Sequence, residues 1–319
     1  LEEILTMYNP RDMIDVISGN IRTTRNPFGI PKMLLNQWHL GLQIPNTGDA
    51  MLFTGLMYQF SPYIEKSTQY LARFEDSRFQ DYLRFARYIP GYLSGLGLWM
   101  TTSFRQKKES ETVLQNIVRI LKASRADFFY RPELDDYSGI LLYDLGDQEA
   151  FVEHARYVSD KLKKAGIRKL ITTDPHTTYT LKVLFPKYVD ADFDVKPYFE
   201  LISLQSRNGT RRIALHDPCF YGRYLEMSDT PRRVLSNLGI ECANLRNSGT
   251  FTSCCGGPAE SLSPKLSDEI VRKRVADLEA SGEQIVTLCP ICLGNLRKAG
   301  AHAEDMATLI ASKLPITSH

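Results

Sequence analysis

The stretch AGIRKLITTDPHTTYTLKV at residues 165–183 has a counterpart, ASGEQIVTLCPICLGNLRK, at 280–298. Each passes a helix-closing glycine, runs through a short apolar strand and turns at a proline into a helix. Two further pairs flank them. Phe53-Thr54-Gly55-Leu56 matches His216-Asp217-Pro218-Cys219, and Tyr137-Ser138-Gly139 matches Cys254-Cys255-Gly256. With small gaps, the chain reads as an internal duplication. Leu56, Tyr137, Ser138, Asp174 and Thr177 in the first copy stand where the second has Cys219, Cys254, Cys255, Cys289 and Cys292.

The pattern outside these stretches is strand then helix. MLFTG is followed by the helical PYIEKSTQYLARF. QEAFVEHARYVSDKLKKAG puts Phe151, Ala155, Val158, Leu162 and Ala165 on one face and stops at Gly166. Downstream, RRIALHD and QIVTL read as strands; PRRVLSNLG, SDEIVRKRVADLEASG (opened by Ser263-Pro264) and PICLGNLRKAG read as helices. Such alternation predicts an α/β fold, two tandem related α/β domains with mainly parallel sheets. Residues 1–46 read as a helical linker broken by RNPFGIP, 47–205 as the copy without cysteines and 206–319 as the intact one. Ligands in such folds gather at the carboxyl ends of strands, where Cys219 and Cys289 are expected.

The copies differ in length. Eighty residues separate Leu56 from Tyr137, against 34 between Cys219 and Cys254. The surplus of 46 falls across the weakly charged segment YIPGYLSGLGLWMTTSF at 88–104. Pro90 and three glycines make it a poor transmembrane helix. A buried loop and helix is the favoured reading. Tyr92, Trp99 and the flanking Arg84, Arg87, Arg105, Lys107 and Lys108 would instead suit a docking surface for a membrane subunit.

The 319 residues are 43% hydrophobic and 24% charged, with a net charge of +2. That excludes a disordered tail, a collagen-like rod and a coiled coil, and offers no basic field for nucleic acid. The chain opens on Leu1 with no apolar signal segment, so processing or upstream sequence is expected. The six cysteines all lie in the last third, too few for a disulfide framework and suited to a reducing compartment.

Five of them sit on three strand-to-helix turns: Cys219, then Cys254-Cys255, then Cys289-Pro290-Ile291-Cys292. Helix N-termini at such turns lower thiol pKa values. Three chemistries compete. Zinc takes four ligands, from Cys289, Cys292 and two of Cys219, the vicinal pair or His216. A dithiol redox site would use Cys289 and Cys292 alone. An iron–sulfur cluster uses thiolates on several irons, and five thiolates favour it. Adjacent cysteines grip one small ion poorly but can reach different metals. Gly256 and Gly257 would let the backbone pass close to such a body.

HDPCFYGR at 216–223, SCCGGPAE at 253–260 and TLCPICLGNL at 287–296 resemble the cysteine-rich CCG domain of heterodisulfide reductase catalytic subunits. The same domain occurs in iron–sulfur subunits of glycolate oxidase, glycerol-3-phosphate dehydrogenase and lactate-utilisation complexes. The resemblance implies tandem CCG domains and a noncubane [4Fe–4S] cluster held by Cys219, Cys254, Cys255, Cys289 and Cys292. The first copy departs at all five positions and should hold none. The resemblance also implies a ferredoxin-like iron–sulfur module or subunit, a flavoprotein or membrane subunit as partner, and a hetero-oligomeric redox complex. A cytoplasmic location, or a peripheral one on the inner face of the membrane, goes with it.

The expected function is an iron–sulfur oxidoreductase subunit passing electrons through one cluster to a disulfide or related acceptor. The alternatives are an electron-transfer subunit of a flavin-dependent glycolate, lactate or glycerol-3-phosphate dehydrogenase, and a zinc-stabilised scaffold without chemistry. His216 and Asp217 are the candidate proton donors. Tyr221 and Arg223 are the candidate substrate-pocket residues, Arg223 suiting a carboxylate or phosphate. Cys242 reads as a small packed residue and His176 as a relic without a role.

Overall fold

The computed structural model describes residues 10–75, 89–205 and 211–314. The opening LEEILTMY and the basic residues Arg84 and Arg87 lie outside the described residues.

Two four-stranded sheets carry the chain. The first holds β1 (Ala50–Phe53), β2 (Phe128–Phe129), β3 (Lys169–Thr172) and β4 (Asp194–Pro197) in the order β2-β1-β3-β4. The second holds β5 (Arg211–His216), β6 (Ile240–Cys242), β7 (Gln284–Thr287) and β8 (Ala303–Asp305) in the order β6-β5-β7-β8. Every pairing is parallel. The orders are the same once shifted by four, so the duplication read from the sequence is a duplication of topology. Parallel strands need crossovers, and the helices supply them. In each sheet the winding reverses between the first and third strands, which opens a crevice at their carboxyl ends. The turns after β5 and β7 carry Cys219 and Cys289 to that crevice.

The helix Gln148–Lys164 shows why the pattern folds so. Asp147 caps it by accepting from the Ala150 N–H, and three lysines occupy its last turn, where the dipole favours them. Phe151, Ala155, Val158 and Leu162 are buried on one face. Each of the larger ones contributes about 1.5–3 kcal/mol by leaving water.

The two halves share a core. Leu52, Tyr58 and Ile117 from the first pack in one cluster with Leu215, Val286 and Leu309 from the second. Across this seam the Tyr58 hydroxyl donates to Asp305 Oδ2 at 2.7 Å. Within the stretch expected as a linker, Ile17, Ile21, Ile30 and Leu35 are buried in the core of the first half. That segment therefore packs as part of the first unit.

Of the buried loop and helix favoured for the weakly charged segment, the helix forms, but much of it is not buried. This helix, Gly91–Thr101, packs through its small residues: a Cβ on Gly95 would meet the Gly29 carbonyl carbon at 2.3 Å. Leu98 and Trp99 pack against the core of the first half, while its other large residues point outward. Tyr92, Leu93, Leu96 and Met100, with Phe104 beyond the helix, are all at least 42% exposed. Hydropathy reports how apolar a segment is, whereas the glycine face decides which side is covered. Among the described residues no helix is long and apolar enough to cross a membrane.

Candidate metal centre

Each cysteine turn is held by its own backbone. Cys289 caps the helix Pro290–Lys298, its Sγ accepting from the Cys292 N–H at 3.5 Å, with Pro290 in the first turn. Asp174 does the same in the first half, accepting from the N–H groups of His176 and Thr177 at 2.9 and 3.0 Å. The duplicated turn keeps its geometry while the capping atom changes from oxygen to sulfur. Cys254 Sγ accepts from the Gly256 N–H at 3.3 Å. Gly256 has φ +84°, and a Cβ there would lie 2.5 Å from the Ser267 carbonyl oxygen. A Cβ on Gly257 would lie 2.6 Å from Ile291 Cγ2 and 3.5 Å from Cys255 Sγ. The two glycines therefore let the vicinal pair lie against the helix that carries Cys292.

The turns converge. Cys255, Cys289 and Cys292 are buried in one cluster with Ile291 beside them. A ring nitrogen of His216, Cys255 Sγ and Cys292 Sγ all lie within 4.8 Å of one another. Cys219 is half-buried; burial first, then the charges of Cys255 and Cys289, push its thiol up. All six cysteines are free thiols. They share protons unevenly. Cys255 is held well below the ordinary thiol range by donation from Cys254 and then Cys292, against its burial. Cys254 and Cys292, which donate to it, are pushed up. Burial alone would raise Cys289, but Cys292 and His176 bring it down to about 7. Cys242, on β6, packs at the edge of the shared core.

His216 is oriented from behind. The buried Arg274 donates Nε–H to His216 Nδ1 at 3.0 Å and its Nη1–H to the Asn247 carbonyl at 2.8 Å. With Nδ1 occupied, Nε2 is the nitrogen left to face the thiols, and it is buried with no other partner. Asp217, the other candidate proton donor, is tightly held. Arg232 grips both its oxygens at 2.6 and 2.8 Å, and the Gly249 N–H donates to Oδ2 at 2.7 Å. It anchors the loop leading to Cys254. Tyr221 is buried against Phe199, and its hydroxyl meets Thr178 Oγ1 at 3.1 Å, so it belongs to the core. Arg223 is exposed; its charge lowers the Cys219 thiol slightly against the burial.

His176, a relic on the sequence reading, is brought to the site instead. Its Nδ1 lies 3.8 Å from Cys289 Sγ, 113 residues away, and 3.6 Å from Asp174 Oδ1. Burial works against charge on this ring, but Cys289 and Asp174 outweigh it and hold the pKa well above the ordinary value. The signal in the sequence is its position in the first copy's Asp174-Pro175-His176-Thr177 turn, which the duplication places at a strand's carboxyl end.

The first-half counterpart is closed. A Cβ on Gly55 would fall 2.1 Å from Thr177 Oγ1, and Leu56 takes a φ of +60°. The turn after β1 thus lies directly on the residue that replaces Cys292, leaving no room for a body between them. In the second half, Cys255, Cys289 and Cys292 are buried together behind a glycine pair with His216 beside them, and Cys219 and Cys254 lie near enough to interact with them. Soft sulfur donors in that number fit an iron–sulfur cluster.

A cavity of about 250 Å³ lies between the N-terminal helix, the helix Met57–Glu75 and this site, reaching His176, Gly257 and Ile291. A larger cleft of about 620 Å³, lined by Arg105, Glu109 and Arg297 among others, contains none of the thiols. Glu260, on the cavity wall, is pushed from about 4.5 up to about 7 by burial, with Lys298 opposing. Between those two values the folded chain holds a proton the unfolded chain lacks. Stability therefore falls as pH rises from about 4.5 and levels off above about 7, by up to ~3 kcal/mol from this group. Glu260→Gln is expected to shrink the difference in urea-unfolding free energy between pH 5 and pH 8 by ~2 kcal/mol. An unchanged difference would remove Glu260 from this account.

Residues 213–297 match a family described as a cysteine-rich domain, CCG. The chain is 29% identical over 245 residues to a "Probable membrane-anchored ferredoxin" of Chromohalobacter salexigens, covering 69% of this chain and 36% of that protein. It is 26% identical over 220 residues to an "EtfAB:quinone oxidoreductase" of Syntrophomonas wolfei, covering 63% and 30%. One of the subunits of the dihydromethanophenazine:CoB–CoM heterodisulfide reductase of Methanosarcina mazei is 28% identical over 182 residues, covering 51% and 44%. The chain thus spans between about a third and under half of the length of these relatives.

Proposed function

We propose that this chain acts as an iron–sulfur oxidoreductase subunit of heterodisulfide-reductase type. In this reading residues 206–319 are the cluster-binding domain and 47–205 its cluster-free twin. Cys219, Cys254, Cys255, Cys289 and Cys292 hold a noncubane [4Fe–4S] cluster. The observation that carries the reading is the burial of Cys255, Cys289 and Cys292, from two turns, on one spot beside an imidazole nitrogen of His216 from the third. When bound, such a group supplies one-electron transfer and an iron open to a sulfur ligand.

The chain's own residues do the rest. Arg274 fixes the His216 tautomer, and His216 offers Nε2–H to a cysteine sulfur, a bond that tunes a cluster's potential. Asp217, clamped by Arg232, keeps the loop to Cys254 in place. Reduction of a disulfide consumes two electrons and two protons and yields two thiols. His176, beside Cys289 and backed by Asp174, is the group placed to hold such a proton. Electrons come from a ferredoxin-like module or subunit or a flavoprotein in a hetero-oligomeric complex.

Anaerobic purification followed by iron and sulfide analysis tests the reading. A brown protein with about four irons and as many sulfides, and an EPR signal after thiol oxidation, is expected. A colourless chain with about one zinc would make it a scaffold. A cluster that reduces no disulfide but relays electrons from a flavin dehydrogenase would choose the other redox alternative.

The exposed apolar face of the helix Gly91–Thr101 is the surface proposed to meet a membrane partner subunit at the inner face of the membrane. The double variant Leu93→Asp, Met100→Asp is expected to release the chain from the membrane fraction of its complex with unchanged iron content. Retention there would reject the assignment.

A further inference from the structure

The cavity beside the thiols has a chemistry of its own. Its walls are apolar, with Ile17, Phe28, Phe60, Leu98, Ile140 and Ile291 from six separate segments. Its inner end is His176 and Gly257, beside Cys289 and Cys255. Ser94, which is exposed, stands at its mouth. Among the described residues no lysine or arginine lines it, and the two charged side chains besides His176 are the carboxyl groups of Asp144 and Glu260. Anionic ligands are usually met by unpaired Arg, Lys or a row of free N–H groups; here His176 is already paired with Asp174, and Glu260 with Lys298. Apolar cavities of about 150 Å³ take a single benzene ring, so about 250 Å³ suits a molecule of roughly two rings.

We infer that this cavity receives an uncharged organic disulfide with apolar substituents of about two rings in total, and discriminates against anionic disulfides. The inference rests on the cluster reading for its electron source. The S–S bond accepts two electrons from the ferredoxin or flavoprotein partner, passed singly, and takes up two protons; the bond breaks and two neutral thiols leave. The apolar walls remove the substituents from water, which supplies the affinity. The discrimination comes from desolvation: an anion entering these walls loses its water and meets no unpaired cation.

Binding can be read without turnover. The as-purified chain is titrated with N-phenyl-1-naphthylamine, a neutral two-part aromatic whose fluorescence rises in apolar surroundings. The comparison ligand is its sulfonated relative, 8-anilino-1-naphthalenesulfonate. The neutral probe is expected to bind saturably, one per chain, and the anionic one at least tenfold more weakly. Leu98→Trp fills the cavity and Ser94→Trp narrows its mouth. Each is expected to weaken the neutral probe at least tenfold with iron content unchanged. Ser94 is exposed, so its variant keeps the test alive if Leu98→Trp fails to fold. No saturable binding, equal or tighter binding of the sulfonate, or an unaltered affinity in Ser94→Trp would each overturn the inference. Iron measured on the same samples separates the two failures. Binding without iron sinks the cluster reading, and iron without binding sinks this one.

Discussion

Cys255→Ser is expected to lose about nine-tenths or more of the iron and sulfide carried by the unaltered chain. Cys255 is the most connected thiol of the group: it is buried, receives hydrogen bonds from Cys254 and Cys292, and lies within 4.8 Å of Cys292 and His216. A serine hydroxyl is a hard, weakly acidic ligand where iron and sulfide select soft thiolate. No neighbouring group replaces it, because the Gly256–Gly257 turn seats the loop against Ser267 and Ile291 and leaves it little freedom to shift. The matched control is Cys242→Ser on β6, which should keep its full iron content. Iron and sulfide assays on both variants, with circular dichroism to show that each is folded, decide the matter. Full iron in Cys255→Ser, or loss in Cys242→Ser, would show that the thiols near His216 are not the ligands.

Asp217→Ala is expected to destabilise the chain by ~3 kcal/mol. Asp217 is buried, gripped at both oxygens by Arg232 and bonded to the Gly249 N–H. Breaking a buried pair costs about 3–5 kcal/mol, because it strands the partner's charge. Arg232 is partly exposed, which lowers that toward ~2. The orphaned Gly249 N–H adds about 1 kcal/mol. Urea unfolding of the metal-free, reduced chain measures the loss, and Arg232→Met combined with Asp217→Ala should be less than additive by ~1 kcal/mol or more. The alternative, a proton-donating Asp217, predicts near-normal stability with slowed disulfide reduction. That outcome would return the residue to the role its position next to His216 suggested.

Much of this molecule was legible because it is local. A proline after a capping residue starts a helix whether the cap is Asp174 or Cys289, so the duplicated turn was visible in the letters. Strand–helix alternation leaves parallel pairing as the economical arrangement, and parallel pairing puts every strand's carboxyl end on one edge. The sequence therefore puts Cys219 and Cys289 on the same rim; in the structure Cys289 is buried with Cys255 and Cys292, and His216, three residues before Cys219, lies beside the latter two.

What lay beyond reading came from contacts between distant segments. His176 reaches Cys289 across 113 residues, and Tyr58 reaches Asp305 across 247. Both depend on how the two sheets pack against a shared core, which no window of periodicity reports. The closing of the first-half site by Gly55 against Thr177, and the outward face of the helix Gly91–Thr101, are likewise decided by which backbones approach closely. Residue order determined the repeated unit, its sheet type and the thiol-bearing turns, since hydrogen-bonding and capping preferences act over a few residues. Tertiary packing alone decided which half stayed open, which histidine stands beside the sulfur atoms and what kind of cavity adjoins them, since these follow from excluded volume between segments far apart in the chain.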